Sequence, residues 1–263
     1  VDALKAQIVT GKYVVKKDVT FEQYASTFIS LYKSNREYNT QRMYRTVLDT
    51  YLIPEIGNYL LHEIKRTTIQ GLINQNQDHP RTCQQIKVVL KQILASALED
   101  HLIQDMPWKK IDMPRYTAPK RRTLTPQEER ALNQCSLDPQ AHLLVMLLFG
   151  CGLRLEELLA LQVEDIDLVS GDVIIHHAII FQKNKAVPKP VPKTPSGFRR
   201  IPIPAFLMDE IRFYVMRTRK EHPWDTDVWL FTYNGQPFTK SHFYDVWERI
   251  IAAMNAAVGT DTD

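Results

Sequence analysis

A mainly helical protein in two parts, the second carrying a small antiparallel sheet, is the fold class this sequence predicts. Three observations predict it. Apolar residues recur at spacings of three and four over most of the chain. Short β-branched runs at residues 173–175 and 200–203 read as strands. Charge is split unevenly: residues 1–122 hold 19 Lys/Arg against 12 Asp/Glu, and residues 123–263 hold 14 against 18. The overall net of +3 conceals that contrast. A basic first half suits a polyanionic partner. The 263 residues are enough for two domains, each with its own core. Hydrophobic residues at 44% and charged residues at 24% exclude a disordered chain.

The predicted elements follow in order. Residues 1–17 read as an N-terminal tail or linker. Residues 18–105 read as a helical domain. Phe21, Tyr24, Ala25, Phe28, Leu31 and Tyr32 share one helical face, with Thr20 as its cap. A second helix opens at Asn39 with Tyr44, Val47, Leu48, Tyr51 and Leu52 as its stripe, and Pro54 with Gly57 stops it. A third runs from about Thr67 to Asn76, and a fourth carries Cys83, Ile86, Leu90, Ile93, Leu94, Ala97, Leu98 and Leu102. Residues 106–122, with six Lys/Arg against one Asp and three prolines, read as an extended basic linker.

Residues 123–263 read as the second domain. Thr125, Pro126 and Glu128 form a capping box. Ala141 to Phe149 is an apolar buried helix, interrupted by Gly150-Cys151-Gly152, and a new helix starts near Arg154. Val173 to Ile175 and Arg200 to Ile203 read as strands around a Pro- and Lys-rich hairpin region, Gln182 to Arg199. Phe206 to Lys220 and His242 to Ala257 are helices, and Trp224 and Trp229 read as packing residues. Tyr24, Tyr32, Tyr44 and Tyr51 read as core.

Several chemistries are excluded. Cys83, Cys135 and Cys151 have no C-x-x-C spacing, so they form neither a zinc site nor a disulfide framework and suit a reducing compartment. His176 and His177 are adjacent on a predicted strand and point to opposite faces, so no metal site is expected from them. No apolar run reaches about 18 residues, so no membrane partner is expected.

The run Gly150-Cys151-Gly152-Leu153-Arg154-Leu155-Glu156-Glu157-Leu158-Leu159-Ala160-Leu161, followed by Asp165-Ile166-Asp167, resembles the first conserved box of the tyrosine recombinases, the phage integrase family. Lys193-Thr194-Pro195-Ser196-Gly197-Phe198-Arg199-Arg200-Ile201-Pro202-Ile203 resembles the family's lysine-bearing hairpin. Thr40 to Gly57 with Leu61-His62-Glu63-Ile64 is similar to its helical, SAM-like core-binding domain. The resemblance covers residues 18 to about 258.

The resemblance implies a core-binding domain followed by a mixed α+β catalytic domain. It implies site-specific recombination, the integration and excision of a mobile element or viral genome, through a covalent phosphotyrosine and without cofactor or metal. Arg154 is implied as the cation gripping the scissile phosphate, with Glu157 beside it. Lys193 is implied as general acid, with Lys189 and Lys185 as alternative registers of the enlarged hairpin. Off the apolar stripes lie Arg42, Arg45, Lys87 and Lys91. With the basic Lys120, Arg121 and Arg122, and with Arg199, they are the expected contacts to duplex DNA. The family further implies a homotetramer on its DNA sites, sometimes with an excision or DNA-bending accessory factor, in the cytoplasm at the nucleoid. No His-x-x-Arg box occurs in the 263 residues, and Tyr233 and Tyr244 lie too early to be the nucleophile. The catalytic domain is therefore expected to be incomplete at its C-terminus. The alternative is a catalytically inactive DNA-binding remnant or regulator.

Overall fold

The computed structural model describes residues 18–190 and 197–258. The chain divides into two units, Val1–Lys120 and Arg121–Asp263.

In the first unit, helix α1 (Phe21–Tyr32) begins where Thr20 and Gln23 exchange hydrogen bonds. The Gln23 backbone N–H donates to Thr20 Oγ1 at 3.3 Å, and the Thr20 N–H donates to Gln23 Oε1 at 3.2 Å. Its inner face is Phe21, Tyr24, Ala25 and Phe28. Leu31 and Tyr32, expected on that face, are exposed instead, because the last turn runs past the core.

Helix α2 (Tyr38–Val47) widens into a π-helical turn at Leu48–Leu52 and runs on through Ile53–Ile56. Pro54 therefore does not stop this helix. It sits in the first turn of the final segment, and the wider turn before it accommodates the missing N–H. Gly57 ends the run. A Cβ there would lie 2.5 Å from the Ile53 carbonyl oxygen, so no larger residue fits without a shift.

Helices α3 (Arg66–Gln75) and α4 (Pro80–Glu99) complete the bundle. Ile86, Leu90, Ile93 and Leu94 of α4 are fully buried at its centre. Tyr24 and Tyr44 are buried as well, and each hydroxyl finds a polar partner, Asp100 and Gln92 respectively.

The stretch expected to be an extended linker is packed over its first half. Met106, Trp108, Ile111 and Met113 lie against the helical core, and the Gln70 side chain donates to the Asp112 carbonyl and accepts its N–H. Residues 114–124 are neither helix nor strand.

The second unit opens with α5 (Pro126–Gln134), capped by Thr125 and Glu128 as the sequence pattern predicts. Helix α6 (Pro139–Gly150) is buried along Ala141 and Leu143 to Leu147. The short α7 (Leu155–Leu158) follows a four-residue turn, Cys151 to Arg154. Strands β1 (Ile166–Asp167), β2 (Asp172–Ile175) and β5 (Arg199–Pro202) form an antiparallel sheet in the order β1-β2-β5. Val173 pairs with Ile166 on one side and Ile201 on the other.

Between β2 and β5 the chain makes a separate hairpin, β3 (His177–Gln182) and β4 (Lys185–Pro190). Lys183 and Asn184 turn it with φ of 47° and 67°, the left-handed pair that a two-residue hairpin requires. Pro188 and Pro190 are tolerated because β4 has one strand neighbour, β3, among the described residues. Helix α8 (Met208–Glu221), the small pair β6 (Thr232–Tyr233) and β7 (Gln236–Pro237), and helix α9 (Lys240–Val258) follow. Ile211, Val215, Phe231, Phe238 and Ile250 complete this core. Trp229 packs against it, whereas Trp224 is almost wholly exposed and is no packing residue. Among the described residues no helix is long and apolar enough to cross a membrane.

Candidate functional site

The turn between α6 and α7 places the central arginine. Cys151 closes α6 through its N–H to the Leu147 carbonyl, and Gly152 then adopts φ +60°, a conformation side chains resist. The chain direction changes there, so Leu153 is buried while Arg154, one residue on, projects outward with 74% of its side chain exposed.

Glu157 holds this turn. Its side chain is only 8% exposed, and its two oxygens take four donors. Oε2 accepts the Arg154 backbone N–H at 2.9 Å, and Oε1 accepts Arg154 Nη1 at 2.8 Å. Arg199, at the start of β5, closes the set: Nη1 donates to Oε1 at 2.9 Å and Nη2 to Oε2 at 2.7 Å. Burial alone pushes the Glu157 carboxyl up, but the hydrogen bonds from Arg199 and Arg154 outweigh it and hold the group at about 2. Glu157 is therefore ionised, and two arginines share one negative charge. The net charge of the cluster is +1, and it resides on the exposed Arg154.

The paired aspartates of Asp165-Ile166-Asp167 have separate duties. Asp165 is buried and accepts the Gln162 N–H at 2.7 Å, which shapes the bend after α7. Asp167 accepts the N–H groups of Val169 and Ser170 and takes Arg200 Nη2 at 2.6 Å. Arg200 also donates to Asp172 and Ser170, so it ties β5 to the β1–β2 turn. These bonds hold the Asp167 carboxyl well below its ordinary value.

The sequence-predicted residues fall into groups. Arg154 and Glu157 come together. Lys193 lies outside the described residues; Lys185 and Lys189, the alternative registers, are on β4. Arg42, Arg45 and Lys91 are exposed and Lys87 half-buried, with no ion pair among the described residues. Lys120 and Arg121 are exposed likewise.

Arg199 and Arg122, both expected as DNA contacts, are engaged within the second unit. Each spends both ends of its guanidinium on a buried glutamate. Arg199 does so on Glu157, and Arg122 on Glu128 at 2.6 and 2.7 Å, a pairing that with Thr125 holds the Glu128 carboxyl at about 2. A capping glutamate six residues after Arg122 is the signal that pointed there. No comparable sequence signal joins Arg199 to Glu157, which are 42 positions apart.

His176 and His177 are the second surprise. Strand alternation does not separate them, because β2 ends at Ile175 and β3 begins at His177, leaving His176 in the break. Both rings meet Asp165.

A buried turn that presents one exposed arginine on an ionised carboxylate can hold an anion. The comparisons with known proteins agree in class. The model of the phage integrase family matches residues 122–261, and that of the phage integrase N-terminal SAM-like domain matches residues 20–76. The chain belongs to the phage integrase family.

Among solved structures it is similar to the Tn1549 transposon integrase in complex with transposon right end DNA. The identity is 21% and the TM-score 0.76, over 91% of this chain and 79% of that one. It is also similar to a lambda integrase dimer bound to a COC′ core site, with 15% identity and a TM-score of 0.64 over 93% and 84% of the two chains. A lambda integrase tetramer bound to a Holliday junction matches with 16% identity and a TM-score of 0.64 over 99% and 71%. No curated protein sequence matches the chain.

Proposed function

We propose that this chain binds duplex DNA for site-specific recombination of a mobile or viral element, with Arg154 as the group that grips the scissile phosphate. The observation that carries this reading is the Glu157 cluster. Attack on a phosphodiester builds negative charge on the non-bridging oxygens. A fixed guanidinium stabilises that state more than the ground state. Here the fixing is visible. Glu157 uses one Nη1 donor of Arg154 and its backbone N–H, and leaves the rest of the fork facing outward.

Arg199 is then a positioning residue. It keeps Glu157 ionised and oriented, and through it Arg154. Lys193 supplies the proton to the leaving 5′ oxygen, and a tyrosine forms the covalent link to the 3′ phosphate. Arg42, Arg45, Lys87, Lys91, Lys120 and Arg121 contact the DNA backbone without reading its sequence. The chain acts as a homotetramer on paired sites, in the cytoplasm at the nucleoid. An accessory DNA-bending or excision factor sets the direction.

Duplex binding followed across a salt titration tests the reading. Affinity that falls steeply with salt, by about 0.9 in the log–log slope per phosphate contact, is expected. Weak binding indifferent to salt would overturn it.

A further inference from the structure

Three elements of the second unit meet at the start of α9. The tip of the β3–β4 hairpin reaches it through Asn184, whose Oδ1 accepts the Ser241 backbone N–H at 3.0 Å and the Ser241 hydroxyl at 3.2 Å. The β6–β7 pair reaches it through Tyr233, whose ring meets that of His242 with centroids 4.1 Å apart. Each hairpin turns on two left-handed residues, Lys183-Asn184 in one and Asn234-Gly235 in the other, so both tips are tightly defined.

The junction gathers charge of one sign. Lys183 and Lys185 flank Asn184, and Lys240 precedes Ser241, so one contact between residues 57 positions apart brings three lysines together. All three are exposed and without an ion pair among the described residues. Lys240 Nζ lies 5.6 Å from the centre of the Tyr244 ring, which orients the ammonium and leaves its charge in place. The segments that build the junction, 182–190 and 232–244, hold four lysines and no Asp or Glu. Residues 123–263 as a whole hold 14 Lys/Arg against 18 Asp/Glu, and Arg122, Arg199 and Arg200 all sit on carboxylates. Like charges held together repel, so a fold that assembles them without a carboxylate leaves that charge for an external anion. The helix start itself is not the binder, since the N–H groups of Ser241, His242 and Phe243 already donate to Asn184 and Thr239. What remains is a set of ammonium groups on flexible stems at exposed tips, a form suited to a row of phosphates.

We propose that Lys183, Lys185 and Lys240 form a second grip of this unit on the phosphate backbone of duplex DNA, assembled by the Asn184–Ser241 contact. The site is separate from the Glu157 cluster. β3 begins at His177, whose ring contacts the Ala160 carbonyl just after α7, and its six residues at about 3.3 Å each put the tip about 20 Å away. This rests on the DNA-binding reading and adds to it a backbone contact in the more acidic unit, where net charge conceals it.

The test is a salt titration of duplex binding by the full chain, with a mixed-sequence duplex as the probe. Lys183→Gln, Lys185→Gln and Lys240→Gln together should reduce the log–log slope by about 2.7, three contacts at about 0.9 each, and weaken binding at low salt at least about tenfold. Exposed side chains are changed, so circular dichroism should show the fold intact. The matched control is Arg130→Gln, Arg212→Gln and Lys220→Gln, which removes the same charge from exposed positions elsewhere in the unit and should leave the slope unchanged. A wild-type slope in the folded lysine variant would overturn the proposal. So would an equal fall in the control, which would make the effect one of net charge alone. Both results leave the wild-type slope, and with it the DNA-binding reading, standing. Wild-type binding indifferent to salt would sink that reading and the lysine grip together.

Discussion

The two units are held by different forces. The first is a helical bundle around Ile86, Leu90, Ile93 and Leu94, and its ionisable groups with shifted values, Tyr24, Tyr44, Lys33 and Cys83, are shifted chiefly by burial. The second has an apolar core of similar kind. There, however, Glu128, Glu157 and Asp167 are each held ionised by an arginine and by backbone N–H groups. The second holds a cation, Arg154, anchored on Glu157 yet largely exposed. A carboxylate shared by two arginines accomplishes both, because it anchors one and leaves surplus charge on the other. The contrast also shows why net charge is a poor guide. The more acidic unit contains the exposed, anchored Arg154.

The strongest test of the contrast is Arg154→Ala. With one guanidinium donor on Glu157 and 74% of its side chain exposed, Arg154 is expected to act on the reacting phosphate and to add little to the fold. Cleavage of a nicked duplex should fall about 10³-fold or more. Duplex affinity should stay within about threefold. Equal losses of binding and cleavage would make Arg154 an ordinary backbone contact.

Glu157→Ala should act oppositely, through the fold. It leaves Arg199 partly buried without its partner, a change costing about 3–5 kcal/mol. Hydrogen exchange should show the loss in the second unit and leave α1 and α4 protected. Leu90→Ala, a truncation in a packed helix, should cost about 2–5 kcal/mol and reverse that pattern. A Glu157→Ala protein as stable as wild type would remove the cluster from the structural argument.

Acid should separate the units too. The Glu157 carboxyl is at about 2 in the folded chain, below its ordinary 4.5. Its stabilisation is therefore full above the ordinary value and lost as pH falls toward 2. Glu128, also held at about 2, adds to the loss in the same window. The second unit should open first as pH is lowered from about 5, and Glu157→Gln should flatten that dependence. Simultaneous opening of both units, followed by pulse-labelled hydrogen exchange, would remove the difference in what holds them.

Local patterns made much of this legible from the residues. Stripes such as Ile86, Leu90, Ile93 and Leu94 and the Thr125–Glu128 box depend on neighbours three or four positions apart, so periodicity reveals them. Arg154 with Glu157 is of the same kind. What stayed hidden depends on pairings distant in sequence. Arg199 reads as one basic residue of a basic hairpin until β5 brings it to Glu157. The π-helical turn before Pro54 is a compromise that no propensity announces. The His176–His177 pair misleads for a reason of geometry: alternation holds within a strand, and these residues straddle a break between two.

The smallest effect concerns the basic residues between the units' cores. Lys120, Arg121 and Arg122 read alike in the sequence, yet Arg122 is bound to Glu128 and the other two are exposed without an ion pair among the described residues. Replacing Lys120 and Arg121 with Gln should reduce the log–log salt slope of duplex binding by about 1.8, two contacts at about 0.9 each. Arg122→Gln should leave the slope nearly unchanged. It should instead lower the stability of the second unit, since Glu128 would lose the fork that holds it ionised. If all three substitutions lower the slope equally, the Arg122–Glu128 pair opens on DNA, and the distinction between holding the fold and holding the phosphate fails at this residue.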